Sequence, residues 1–262
     1  HNRVNMTKFL ATVASIALAL LVGSAAVRAD DAVPRVALVI GNAAYVDADA
    51  PLKEALNDAH AVADELKRDG FTVTTGDNLS RTAMQRTFDT FSGTIKPRAL
   101  VVVFFSGYGI QSGRQSYLIP VDAQIWTEND IRRDGISLDR MLDELNSRGA
   151  GVKLAILDAS RRNPYERRFR TFSHGLAPID AADNTLILSS ATPGKVVEDS
   201  SGQTSVLVTE LLNNLNSPAG AETAFNKTRG VVARASAGEQ VPSVSSSLLD
   251  DVQFGSDEKA GS

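Results

Sequence analysis

The chain of 262 residues contains no cysteine. That absence excludes disulfides, thiolate-bound metals and any cysteine nucleophile. No Walker-type phosphate loop is present. Gly107-Tyr108-Gly109 begins a dinucleotide-binding glycine pattern, but Ser112 stands where its third glycine belongs. The residues that follow read as extended rather than helical, so that reading fails. There is no internal repeat. Basic charge is scarce: 27 Lys and Arg oppose 31 Asp and Glu, for a formal net charge of −4. A net acidic domain is a poor general ligand for nucleic acid. The one dense basic cluster, Arg161, Arg162, Arg167, Arg168 and Arg170, reads as a solvated loop or a set of local ion pairs.

What is present begins with an ordinary soluble-domain composition, 43% hydrophobic and 22% charged. Met6-Thr7-Lys8 forms a short basic start, and Phe9 to Val22 is an apolar run broken only by Thr12 and Ser15. Val27-Arg28-Ala29 offers a cleavage site. The pattern predicts a signal peptide over residues 6–29 and a periplasmic or secreted protein. The alternative is an uncleaved membrane anchor, because the run approaches bilayer-spanning length. His1 to Asn5 are left out of the fold reasoning. Loss of residues 1–29 removes Arg3, Lys8 and Arg28 but no acid, which makes the remainder more acidic still.

From Arg35 onward, short apolar runs alternate with helical periodicity. Arg35 to Asn42 reads as a strand apolar on both faces, as in a sheet covered on both sides, and Phe71 to Thr74, Leu100 to Phe105, Leu154 to Leu157 and Thr185 to Ser190 read as further strands. Leu52, Ala55, Leu56, Ala59, Ala63 and Leu66 recur at helical spacing and end at Gly70. Ser80 and Ser137 are candidate N-caps, the first for a helix with Met84, Phe88, Phe91 and Ile95 inward, closed by Pro97. The second helix carries Leu138, Met141, Leu142 and Leu145, and Gly149 stops it. Tyr117 to Pro120 suits a small hairpin. The polar stretch Asp122 to Gly135 has no evident placement. Ser205 to Leu215 and Glu222 to Ala235 read as helices, Val244 to Val252 as a last strand. Alternation of this kind implies one α/β domain, residues 33–254, with a mostly parallel sheet covered on both faces. Residues 255–262 read as a disordered tail.

Two strand ends carry the chemistry. Leu154 to Leu157 stops at Asp158-Ala159-Ser160, and roughly 25 residues without periodicity follow, a length that marks a functional or disordered loop. Leu100 to Phe105 stops at Ser106-Gly107-Tyr108-Gly109. Ligands of open α/β sheets bind beyond the carboxyl ends of strands. The expected crevice therefore has a phenol on one wall and an acid and a hydroxyl on the other.

At these residues the chain resembles a caspase-like domain of the bacterial metacaspase (orthocaspase) type. The likeness is carried by Arg35 to Asn42 with Tyr45, Leu56-Asn57-Asp58-Ala59, Phe104 to Gly109, Tyr117 to Asp122 and Leu154 to Pro164. Gly175-Leu176-Ala177-Pro178, Ala191-Thr192-Pro193-Gly194 and Ser245-Ser246-Ser247-Leu248 complete it, over about residues 35–254. It implies the caspase–haemoglobinase fold, a six-stranded mostly parallel sheet with helices on both faces. Active members of that family carry a histidine between the two glycines and a cysteine two residues after the aspartate. Here those positions are Tyr108 and Ser160, so both members of the catalytic dyad are replaced.

A cysteine thiol has a pKa of about 8.5 and is partly thiolate near neutrality. Serine is a far weaker acid and needs an efficient base. Tyrosine, with an ordinary pKa of about 10, stays protonated and cannot accept the proton. Loss of a nucleophile or base removes several orders of magnitude of rate. His60, beside Asp58, reads as a helix-surface residue; His174, in the loop after Ser160, could serve as a substitute base. The resemblance further implies that Asp58 and Asp158 hold a Lys or Arg side chain of a bound peptide, since a buried carboxylate pair is best compensated by a cation. Their alternatives are a helix cap or bridge for Asp58 and a backbone contact for Asp158. Asp122, Glu128, Asp130 and Asp134 are calcium candidates by type, but their spacing is not that of an EF-hand, and no metal or cofactor is assigned. The leading expectation is an inactive caspase-like domain that binds peptides or proteins bearing Lys or Arg. It carries no nucleic acid, and meets a membrane only if the leader is retained. The alternatives are a weak serine endopeptidase that uses Ser160 and cleaves after Arg or Lys, and a docking domain with a vestigial crevice.

Overall fold

The computed structural model describes residues 32–161, 164–165, 168, 175–181, 183–192, 194–197 and 203–255. The leader, His174, Arg162, Arg167, Arg170 and the tail beyond Gly255 lie outside the described residues. In chain order the elements are β1 (Arg35–Gly41), α1 (Ala55–Arg68), β2 (Thr72–Asp77), α2 (Arg81–Gly93), β3 (Leu100–Ser106), β4 (Gly109–Ser112) and β5 (Gln115–Leu118). There follow α3 (Glu128–Asp134), β6 (Ile136–Ser137), α4 (Leu138–Ser147), β7 (Val152–Asp158), β8 (Thr185–Ser189), α5 (Val206–Asn214), α6 (Ala221–Ala235) and β9 (Ser243–Ser246).

The main sheet runs β2-β1-β3-β7-β8-β9, parallel except for β9, which lies antiparallel on β8. A small antiparallel sheet, β4-β5-β6, holds the expected hairpin. Because side chains alternate along a strand, the inner strands β1, β3, β7 and β8 each feed two cores. Ala37, Val39, Val102, Phe104, Ile156 and Leu188 face one side, covered by α1, α5 and α6 through residues such as Val62, Leu211 and Phe225. Leu38, Ile40, Val103, Phe105, Leu157 and Ile187 face the other, covered by α2 and α4 through Met84, Phe88, Met141 and Leu145. This double covering is why the strand sequences lack polar alternation. A third cluster, with Tyr45, Tyr108, Ile119 and Tyr165, packs above the carboxyl end of the sheet.

Both serine caps form. Ser80 Oγ accepts from Ala83 N–H at 3.2 Å, and Ser137 Oγ from Arg140 N–H at 3.3 Å. Two boundaries move. Helix α2 ends at Gly93, so Ile95 lies beyond it, though Ile95 still packs against the same core. The last strand is only Ser243–Ser246; Ser247 still donates its N–H to Thr185 O at 2.9 Å, and the chain from Leu248 to Val252 is not part of the strand. The stretch that sequence left unplaced contains α3, started by a reciprocal capping box between Thr127 and Asp130. The residues from Pro34 onward form one unit.

Candidate functional site

Strands β3 and β7 are neighbours in register, so Ser106 stands opposite Asp158 and both strands end at one level. Beyond that level their continuations are stitched together. Gly107 N–H donates to Asp158 O at 3.2 Å and Gly109 N–H to Ala159 O at 2.9 Å. Glycine is required at both places by close approach. A Cβ on Gly107 would lie 2.6 Å from Tyr45 Oη, and one on Gly109 would lie 2.5 Å from Leu176 Cδ2 and 2.9 Å from Ala159 Cβ.

Tyr108, between these glycines, is buried, with its ring 4.4 Å from that of Tyr45 at an interplanar angle of 53°. Its N–H donates to Tyr45 Oη at 2.9 Å, and Tyr45 Oη donates to Ile119 O at 2.7 Å. Burial pushes the Tyr45 and Tyr165 phenols far up, so both stay protonated. Tyr45 and Tyr165 complete a wall of which sequence marked only Tyr108 as functional.

Ser160 lies across the crevice and is 1% exposed. Its Oγ has no hydrogen-bond partner. Its N–H donates to Ser190 Oγ at 3.4 Å, and its carbonyl accepts from Val197 N–H at 2.6 Å. Among the described residues no histidine is directed at it: His60 sits exposed on α1 and pairs with Asp77 at 2.6 Å.

The acids converge. Asp58 is in the first turn of α1 and fully buried, and its Oδ1 accepts the N–H of Ser205, the N-cap of α5, at 2.8 Å. Its Oδ2 has no partner. Burial, then the charge of Asp158, raises the Asp58 carboxyl to about 8. Asp158 is 3% exposed, and its Oδ2 is likewise without a hydrogen bond. That oxygen lies 3.3 Å from Arg161 Nη2, close enough for charge pairing but not aligned as a hydrogen bond. Arg161 is itself buried. Its Nη1 donates to Gly107 O at 3.0 Å and to Asp158 O, and its Nη2 donates to Ser106 Oγ at 3.3 Å.

Sequence reads Arg161 as part of a solvated loop or of a set of local ion pairs. The structure shows the ion pair: Arg161 is buried beside Asp158 as its counter-ion. Arg168 is also paired, with Asp47 at 3.1 Å, and stacks 3.7 Å over the Trp126 ring. No composition or spacing signal separates these two arginines from their neighbours; their side-chain directions depend on the strand ends they meet. The four calcium candidates have separate occupations. Asp130 caps α3 by accepting from Trp126 and Thr127 N–H, Asp134 pairs with Arg133 at 2.8 Å, Asp122 accepts from Arg81 N–H, and Glu128 accepts from Ser112 Oγ. Among the described residues no group of three or more His, Cys, Asp or Glu side chains could hold a metal.

A mostly parallel six-stranded sheet with helices on both faces is the caspase–haemoglobinase α/β fold. A family model described as a caspase domain matches residues 34–253, and the chain belongs to that family. No curated protein matches the chain.

Proposed function

We propose that the protein is a catalytically inactive caspase-domain protein whose buried acids, Asp58 and Asp158, receive a basic side chain of a peptide or protein partner. One observation carries this reading: two buried carboxylates that feel each other's charge have one guanidinium, paired with Asp158, and each keeps an oxygen without a hydrogen bond. A buried unpaired carboxylate is costly, and a cation that fits the site offsets the cost. An extended peptide laid across the crevice would deliver one. A leader over residues 6–29 would place this binding outside the cytoplasm.

The inactivity rests on what surrounds Ser160. With no cysteine in the chain, Ser160 is the nucleophile candidate at its position, and among the described residues its Oγ meets no base. Acyl transfer also needs N–H donors aimed at the developing oxyanion. The N–H groups of Gly107, Tyr108, Gly109 and Ser160 are all engaged with protein acceptors.

Calorimetry with short peptides that contain Lys or Arg tests the reading. Saturable binding by the full chain, abolished in Asp158→Ala and weakened in Asp58→Asn, is expected. Absence of heat with every basic peptide would overturn it. Turnover of fluorogenic Arg or Lys peptides, lost in Ser160→Ala, would replace it with a serine endopeptidase.

A further inference from the structure

We infer that the protein carries a second binding site, a cleft between α2 and α4 that takes a small molecule with two or more phosphate or carboxylate groups. The cleft holds about 440 Å³, within the range of small-molecule sites. Arg81, Gln85 and Phe88 line it from one face of α2, and Arg140, Met141 and Glu144 from one face of α4. Tyr117 of β5, Ile136 of β6 and Arg132 of α3 complete the lining. The elements around it are tied to one another. Ser92 Oγ on α2 donates to Glu144 Oε1 on α4 at 3.2 Å, and Arg81 Nε donates to the carbonyl of Arg133 on α3 at 2.6 Å. Gly135, between α3 and β6, lets the chain sit directly on Tyr117, since a Cβ there would lie 2.9 Å from Tyr117 Cβ and 2.7 Å from Ile131 O. Helices α2 and α4 cover the face of the sheet opposite α1 and α5, which carry Asp58 and Ser205, so this cleft is separate from the acid pair.

Charge identifies the ligand. Three guanidiniums line the cleft, and none of them has a carboxylate partner among the described residues. Arg81 Nε meets only the Arg133 carbonyl, and Arg132 donates to Ser112 Oγ at 3.4 Å and to Asn129 Oδ1. Arg140 makes no side-chain hydrogen bond or ion pair with any described residue. The acids nearby are already in use. Asp89 accepts from Gln85 Nε2 at 2.9 Å, Glu144 pairs with Arg148 at 3.0 Å, and Glu128 accepts from Ser112 Oγ at 3.3 Å. Elsewhere the pattern is the reverse, since Arg133, Arg148, Arg161 and Arg168 each meet a carboxylate. Like charges gathered around one cleft repel, and an anion between them relieves that cost. The guanidinium fork matches phosphate and carboxylate alike. One such group cannot engage forks on three different elements, whereas a compact molecule with two or more can. The net charge of −4 gives the whole chain no general attraction for anions, so binding here depends on these local contacts.

Calorimetry with the full chain in about 0.15 M salt, titrated with inorganic pyrophosphate and separately with citrate, tests the inference. Saturable binding of at least one of them is expected; pyrophosphate alone assigns phosphate chemistry, citrate alone carboxylate chemistry. Arg132→Gln and Arg140→Gln should each weaken that binding about tenfold, the loss of one hydrogen bond to a charged group. Arg86→Gln removes the same charge from an exposed position on α2 outside the cleft, and should change affinity less than about twofold. Because Arg140 holds no described contact, Arg140→Gln should melt with the wild-type protein. Absence of saturable heat with both anions would overturn the inference. So would equal losses in Arg86→Gln and Arg140→Gln, which would mark attraction to diffuse surface charge.

Discussion

At the residue scale the site is governed by burial more than by residue type. Asp58 is an ordinary surface residue by composition, yet its enclosure by α1, Ser205 and Asp158 holds its carboxyl near 8. The folded chain therefore keeps a proton on Asp58 that the unfolded chain releases near pH 4. Stability from this group is fully present below that value and is lost as pH rises through about 8. Urea titrations at pH 5, 7 and 9 should show the decline, and Asp58→Asn should flatten it. The same proton links to the ligand, since a basic side chain favours ionised Asp58. Peptide affinity should rise between pH 6 and 8, with proton release seen as buffer-dependent heat. Arg161 is the second case. Its removal strands Asp158 without its cation, and loss of one member of a buried pair typically costs about 3–5 kcal/mol. Arg161→Ala should lose stability on that order in denaturant melts.

At the element scale, the ends of β3 and β7 are fastened together rather than held open. The glycines at 107 and 109 allow this, and their N–H groups form the stitches. Gly109→Ala drives a methyl group into Leu176 and Ala159, and overpacking of this kind costs about 1–3 kcal/mol; a thermal melt would register it. The same fastening bears on catalysis. Restoring a dyad by Tyr108→His with Ser160→Cys supplies a nucleophile and a base, but leaves Gly109 N–H on Ala159 O and Ser160 N–H on Ser190 Oγ. Fluorogenic basic peptides should remain essentially uncut by the double variant. Robust turnover would show that these contacts open when substrate binds.

At the scale of the whole molecule, two apolar cores on opposite faces of the sheet set the position of everything above it. The helices that carry Asp58 and Ser205 cover one face, while the crevice lies at the strand ends. Function therefore requires the fold without adding to its core. The caspase domain accounts for residues 34–253, and among the described residues no helix is long and apolar enough to cross a membrane.

The sequence by itself determined the fold class, because hydrophobic runs of strand length and helical periodicities are local patterns dictated by which faces must be buried. It also decided that no cysteine chemistry occurs, and it marked Asp58, Tyr108, Asp158 and Ser160 through their places at strand ends and in motifs. Helix α3 escaped notice because its stability comes from a capping box and a single buried Ile131 rather than from an apolar face. Only the tertiary structure decided what the marked residues do. Hydrogen-bond direction, ion pairing and burial depend on groups distant in sequence: Ser205 lies far along the chain from Asp58, and Gly107 far from Arg161. Those contacts close the backbone donors around Ser160 and set a resident guanidinium against Asp158.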